Sequence, residues 1–148
     1  MIEITASCDI DAPAEAVWSV LTDLEQFHAW NPFIRSASGT TELGGTVHVR
    51  VRSSLGIPLG FRAKIYDRED NCALRWRGHV VAPWLACGDH AFTIESLGAH
   101  RTRLVQRETF SGVLPWLARR LLARETRRGF DAMNRALAAR VSHGEAAS

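Results

Sequence analysis

Three polar residues carry the chemical interest of this sequence: His90, Gln106 and Glu108. His90 shares its strand parity with Gly88, Phe92 and Ile94, while Gln106 and Glu108 share theirs with Thr102, Leu104 and Phe110. A β-strand sends every second side chain to the same face, so if Phe92, Ile94, Leu104 and Phe110 point inward, the three polar groups do too. An unpartnered polar group in an apolar interior costs about 1–3 kcal/mol, and a carboxylate more. Either these groups satisfy one another, through a His90–Glu108 or His90–Gln106 hydrogen bond that only fixes the sheet, or they line a cavity and orient a mostly apolar ligand. In the second case acid–base chemistry is available. Glu108 would hold or polarise His90, and His90 would exchange a proton with a carbonyl or an enol, as an aldol cyclisation or a dehydration requires.

Other chemistries find little support. There is no Ser-His-Asp or Cys-His arrangement that can be placed together, no glycine-rich phosphate loop and no HExxH motif. Cys87, Asp89 and His90 are metal ligands by type, but Cys87 and His90 lie an odd number of residues apart and so face opposite sides of a regular strand. No metal and no cofactor are expected. Cys8, Cys72 and Cys87 are odd in number, widely spaced and without a CxxC pair, the usage of a reducing compartment.

The elements that must position these groups are legible in order. Ile2 to Ile10 alternates as a half-buried strand. Asp11 to Glu15 predicts a helix start with Pro13 at its first position and Glu15 reaching back to a free amide, followed by an inner face of Val17, Val20, Leu21 and Leu24. A short helix through Glu25–Ala29 ends at an aromatic corner, Trp30-Asn31-Pro32-Phe33. Strands follow through Ile34–Ser38, Val47–Arg52, Phe61–Tyr66 and Leu74–Val80, with turns at Gly44-Gly45 and Glu69-Asp70-Asn71. Ser53–Gly60 reads as a loop, and its apolar Gly56-Ile57-Pro58-Leu59-Gly60 as a turn-rich segment or the rim through which a ligand enters. The last two strands carry the polar trio.

A long amphipathic helix, Pro115 to Val141, closes the chain, with a small polar tail from Ser142 to Ser148 expected to fray. Leu122, Thr126, Phe130, Met133, Leu137 and Val141 fall on one face, and Arg120, Arg124, Arg127, Asp131 and Arg135 on the other. The arginines read as a solvated face with Glu125 and Asp131 as partners. Asn134, at the inner edge, is expected to bond the backbone of a nearby loop. Leu114, Trp116, Leu117 and Leu121 are too many apolar residues for one face, and a lid over a cavity mouth is preferred to a membrane-touching tip or a dimer contact.

The order of these pieces, Ala12-Pro13-Ala14-Glu15-Ala16-Val17-Trp18, Trp30-Asn31-Pro32, Gly88-Asp89-His90-Ala91-Phe92, Gln106 to Gly112 and Phe130-Asp131-Ala132-Met133-Asn134, resembles the SRPBCC (START-like) superfamily over nearly the whole chain. Within it, the chain is similar to the bacterial polyketide cyclase/dehydrase-like proteins. The resemblance implies an α+β helix-grip fold, also called START- or birch-pollen-allergen-like. In it a seven-stranded curved antiparallel sheet grips the C-terminal helix, with two short helices after the first strand and a hydrophobic cavity between. It further implies a ligand that is a lipid, a polyketide or another polycyclic compound. His90, Gln106 and Glu108 match positions where relatives place polar residues towards the cavity, and Trp30, Phe33, Trp76, Phe92, Phe130 and Met133 would be its apolar lining. A cyclase or dehydratase using His90 and Glu108 is the alternative function, and a protein-partner module of the co-chaperone type, with its interior filled, the third.

Size and charge fit that reading. A single domain is expected from 148 residues, of which 46% are hydrophobic. A net charge of +2 without aromatics interleaved in a basic stretch argues against nucleic acid. The apolar runs are too short for stable membrane insertion, and the chain opens on Met1-Ile2-Glu3-Ile4 without a basic leader, so a cytoplasmic monomer or homodimer is expected.

Overall fold

The computed structural model describes residues 1–52, 56 and 58–147, with residues 143–147 by their backbone alone. Its strands are β1 (Ile2–Ile10), β2 (Ile34–Gly39), β3 (Thr46–Arg52), β4 (Pro58–Glu69), β5 (Ala73–His79), β6 (Cys87–Gly98) and β7 (Arg101–Ser111). They form one antiparallel sheet in the order β1-β7-β6-β5-β4-β3-β2. Between β1 and β2 lie α1 (Ala14–Thr22), a 3₁₀ turn (Leu24–Gln26) and α2 (Phe27–Trp30); after β7 come α3 (Val113–Leu117) and α4 (Arg119–Ala147). The curved sheet wraps α4, the helix-grip arrangement.

The alternation read along the strands is the burial observed. Ile4, Ala6 and Ile10 of β1, Val47 and Val49 of β3, Ala63 and Ile65 of β4, and Leu74 and Trp76 of β5 are buried, while their neighbours in sequence face out. The predicted helix face is buried at Thr126, Phe130, Met133, Leu137 and Val141, and Arg120, Arg124, Arg127, Asp131 and Arg135 are exposed opposite. The outer face of the sheet is polar and laced with ion pairs, among them Arg101 and Arg103 on Asp9, and Arg77 on Asp89.

Several boundaries differ from expectation. Pro58, Leu59 and Gly60 belong to β4, opposite Arg52, Val51 and Arg50, a placement open to proline because at the first residue of a strand its missing N–H breaks no interior ladder bond. Ser53–Leu55 and Ile57, the rest of the expected loop, lie outside the described residues. Pro13 is the N-cap of α1 and not its first helical residue, and no side chain caps that end, so Glu15 does not reach back. The final helix is two: α3 begins at Val113, the chain leaves helical geometry at Ala118 (φ −102°, ψ 20°), and α4 begins at Arg119. Nor does it stop at Val141. The backbone stays helical through Ala147, since Glu145-Ala146-Ala147 are strong helix formers.

The core is unevenly distributed along α4. One cluster joins Met133, Leu137 and Val141 to Leu74, Phe92, Ile94 and Leu104 of the sheet and to Val17, Trp18 and Leu21 of α1. Thr102 pins that end by donating from its hydroxyl to the Ala12 carbonyl, 2.7 Å away. A smaller cluster sets Phe130 against Ile4 and Ala6. Towards the start of α4, among the described residues, the five-residue α3 is the one further helix beside the sheet.

Candidate functional site

Residues on β6 and β7 build the site. Their register sets His90 opposite Glu108 and Phe92 opposite Gln106. All three polar groups are buried on the inner face, with Gln106 fully so. His90 Nδ1 lies 3.0 Å from Glu108 Oε2, and His90 Nε2 lies 3.1 Å from Gln106 Oε1. Gln106 Nε2 in turn donates to Asn134 Oδ1 of α4 at 2.7 Å. Sequence reasoning offered one bond or the other; both form, within a single chain of groups from Glu108 to Asn134. Asn134 therefore bonds a side chain of β7 and not a loop backbone, and its own carbonyl accepts from the Cys8 thiol at 3.7 Å.

Three proton placements satisfy this chain, one of them a protonated Glu108 donating to His90 Nδ1 while the neutral ring donates from Nε2 to Gln106 Oε1. An imidazolium donates from both nitrogens, to the Glu108 carboxylate and to Gln106 Oε1. A neutral ring protonated on Nδ1 donates to Glu108 alone, and the Gln106 and Asn134 amides then turn over together so that Gln106 Nε2 donates to His90 Nε2. In all three both ring nitrogens are engaged. The ring is also clamped by aromatics: it stacks on Phe92 at 4.2 Å between centroids, meets Trp76 edge-on at 5.3 Å and lies 5.0 Å from Phe130.

Glu108 is placed differently. Its carboxylate stands at the edge of a cavity made of two adjoining lobes, about 290 Å³ and about 270 Å³. Phe61, Trp76, Phe110, Leu122 and Glu108 wall both. The first lobe runs under Val80, Ala86, Leu114 and Pro115; the second runs to Phe33, His90, Thr126 and Phe130. Gly88 makes the room for the carboxylate, because a Cβ there would sit 2.6 Å from Glu108 Oε1. Gly129 likewise lets the Phe33 ring lie flat on α4, where a Cβ would overlap it. A wider hollow of about 550 Å³ beside β2–β4 is walled mostly by polar residues, Ser36, Ser38, His48, Arg50 and Arg62 among them.

The residues anticipated as lining divide into two groups. Phe33, Trp76, His90, Glu108 and Phe130 border the cavity. Phe92, Gln106 and Met133 are buried in solid core behind it, and Trp30 packs edge-on against Phe27 at 5.2 Å, away from both lobes. Phe61, Phe110 and Leu122 were not anticipated as walls, although parity on β4 and β7 and the helix face already turned them inward. Glu125 was assigned to the solvated face; it is buried, borders the second lobe, and has Arg128 at 3.8 Å and Arg124 at 3.9 Å. Of the apolar excess around the start of α4, Leu114 and Leu121 border the lobes, whereas Trp116 and Leu117 point to solvent. Among the described residues no three His, Cys, Asp or Glu side chains converge as a metal site would need.

The profile of the family described as polyketide cyclase / dehydrase and lipid transport matches residues 1–142. No curated protein matches the sequence. Among solved structures the chain is similar to the Zhui aromatase/cyclase from Streptomyces sp. R1128, at 21% identity and a TM-score of 0.79, with 95% of this chain and 93% of that one covered. It is similar to a START superfamily protein from Mycobacterium smegmatis at 19% identity and a TM-score of 0.78, with 95% and 97% covered. A protein from Thermus thermophilus gives 18% identity and a TM-score of 0.78, with 96% and 98% covered. These structural likenesses are of fold.

Proposed function

The chain belongs to the polyketide cyclase/dehydrase and lipid transport family, and on that premise we propose that it binds a hydrophobic small molecule, a lipid, a polyketide or another polycyclic compound, between the sheet and the start of α4. The supporting observation is the cavity itself, with aromatic and aliphatic walls entered by very few polar groups. Walls of that kind favour an apolar body, and the two carboxylates at the edge, Glu108 and Glu125, favour a hydrogen-bond donor on it. The open cavity also speaks against an interaction module with a filled interior. The test is native mass spectrometry of the freshly purified protein followed by organic extraction, comparing wild type with Leu122→Trp, which places an indole in both lobes. A small apolar species held by the wild type and reduced at least tenfold in the variant is expected. A clean unliganded mass that stays unchanged with a panel of lipids and polycyclic aromatics would overturn the reading.

A second reading, cyclisation or dehydration, draws on the Glu108–His90 pair at the cavity edge. In it the roles first assigned are reversed. His90 has no nitrogen left for a substrate, so Glu108 would exchange the proton and His90 would hold and charge-balance it. Glu108→Gln would then abolish turnover of a linear polyketide analogue while leaving its binding within about threefold, whereas His90→Gln would leave residual turnover.

A further inference from the structure

The cavity's mouth is framed by two segments fastened to each other. Val113 N donates to the Trp84 carbonyl at 3.2 Å and Leu114 N to the Leu85 carbonyl at 3.0 Å, tying the β5–β6 loop to α3. The inner side of this pair covers the first lobe through Val80, Ala86, Leu114 and Pro115. Its outer side presents Val81, Trp84, Trp116 and Leu117 to solvent, with Trp84 70% and Trp116 59% exposed. Nothing in the fold accounts for them. Val81 is held at φ 65°, a region β-branched residues avoid, and is left almost wholly exposed. Beside this collar the first ten residues of α4 carry Arg119, Arg120, Arg124, Arg127 and Arg128, and their single acid, Glu125, is buried. The Arg119 guanidinium lies over the Trp116 ring at 5.2 Å and donates to the Trp116 carbonyl.

We propose that this collar is a docking surface for an anionic lipid bilayer, with Trp84, Trp116 and Leu117 entering the boundary between headgroups and acyl chains and the arginines of α4 meeting lipid phosphates. Tryptophan rings bordered by arginine suit that boundary, because the ring supplies apolar area and the cation stays at headgroup level. The shape favours a fluid partner over a protein. Trp116 and Leu117 are adjacent on a short helix and so point about 100° apart, giving a protrusion where a protein interface would need a matched face. Contact is peripheral, as no described helix is long and apolar enough to cross a membrane. Docked this way, the mouth faces the acyl phase, and an apolar ligand passes between membrane and cavity without crossing water. The passage rests on the ligand-binding reading above; the docking does not.

Co-sedimentation of the purified chain with phosphatidylcholine vesicles, with and without one-third phosphatidylglycerol, tests the docking. Binding to the anionic vesicles that weakens with salt is expected, with Trp84→Ser/Trp116→Ser lowering the bound fraction at least tenfold and Arg119→Gln/Arg120→Gln removing the preference for phosphatidylglycerol. Quenching of tryptophan fluorescence by brominated acyl chains, seen in the wild type and lost in the Trp84→Ser/Trp116→Ser variant, gives the same answer free of any contribution from Trp76 in the cavity wall. No binding to either vesicle at low salt, or binding indifferent to the tryptophan pair and unquenched by bromine, overturns the proposal. So does a concentration-dependent dimer in size exclusion that the tryptophan variant abolishes, since the collar would then face a second copy. Vesicle binding by a protein that retains no apolar species would keep the docking and sink the ligand reading.

Discussion

One sheet and one helix meet twice in this molecule, with opposite results. Around Met133, Leu137 and Val141 the space between them is solid: Leu74, Phe92, Ile94 and Leu104 fill it from below, and α1 closes the end with Val17, Trp18 and Leu21. Around Ala118 and Leu122 it is hollow. The difference lies in what the sequence supplies at matching positions. Gly78 and Gly88 face each other across β5 and β6, so two adjacent inner-facing positions carry no side chain, and α3 is too short to fill what they leave. The chain Glu108–His90–Gln106–Asn134 runs across the border, with one end at the cavity and the other in solid core. A cavity in such a fold is thus a local omission of side chains beside a core that is packed elsewhere.

Stability should report that contrast most strongly. Leu137→Ala removes a fully buried side chain among neighbours that cannot collapse, at a cost of about 3–5 kcal/mol. Leu122→Ala, half-buried and already beside empty space, should cost about 1 kcal/mol or less. Urea unfolding of the two variants measures both, and equal losses would mean that the hollow is as tightly packed as the core.

The polar chain should show the same gradient on a smaller scale. Gln106→Met keeps volume but takes partners from His90 and Asn134 in solid core, costing about 2–3 kcal/mol. Glu108→Gln keeps an acceptor for His90 Nδ1 at the cavity edge and should cost about 1 kcal/mol. A larger loss at Glu108 than at Gln106 would place the solid end of the chain at the wrong residue.

Facing was legible in the sequence and filling was not. Period-two alternation turned His90, Phe92, Gln106 and Glu108 inward, and the helical period did the same for Phe130 and Met133, as observed. But an inward side chain meets a cavity only if its neighbours leave one. Phe92 and Met133 lie at the level α1 fills, whereas Phe61 and Phe110 lie at the level it does not reach. The pairing of His90 with Glu108 depended on a hairpin whose register shifts between Ser96 and Gly98, which parity alone does not specify. Glu125 was misplaced because its type suggested a partner for arginines on the wet face. Its position, three residues after Leu122 and next to Thr126, is on the inner edge.

The three cysteines sample three depths of the structure and make the finest probe of its packing. Cys8 packs against the solid core and donates to Asn134 O, Cys87 is half-buried on the outer face of β6, and Cys72 is exposed. Burial, and secondarily the Asp9 carboxylate, push the Cys8 thiol above the ordinary range. The thiolate is the reactive form, so at neutral pH Cys8 should be alkylated most slowly, and its rate should still be climbing at a pH where an ordinary thiol has levelled off. The stability gained by keeping this thiol protonated follows the same sign: it is fully present below the ordinary thiol value and lost as pH rises through the higher folded one. Cys72 should react first. Cys87, half-buried on the outer face of β6 near Arg77, should fall between. Peptide mapping after timed iodoacetamide exposure gives the order. A Cys8 that reacts as fast as Cys87 would mean that the solid core excludes water no better than the outer face of the sheet does.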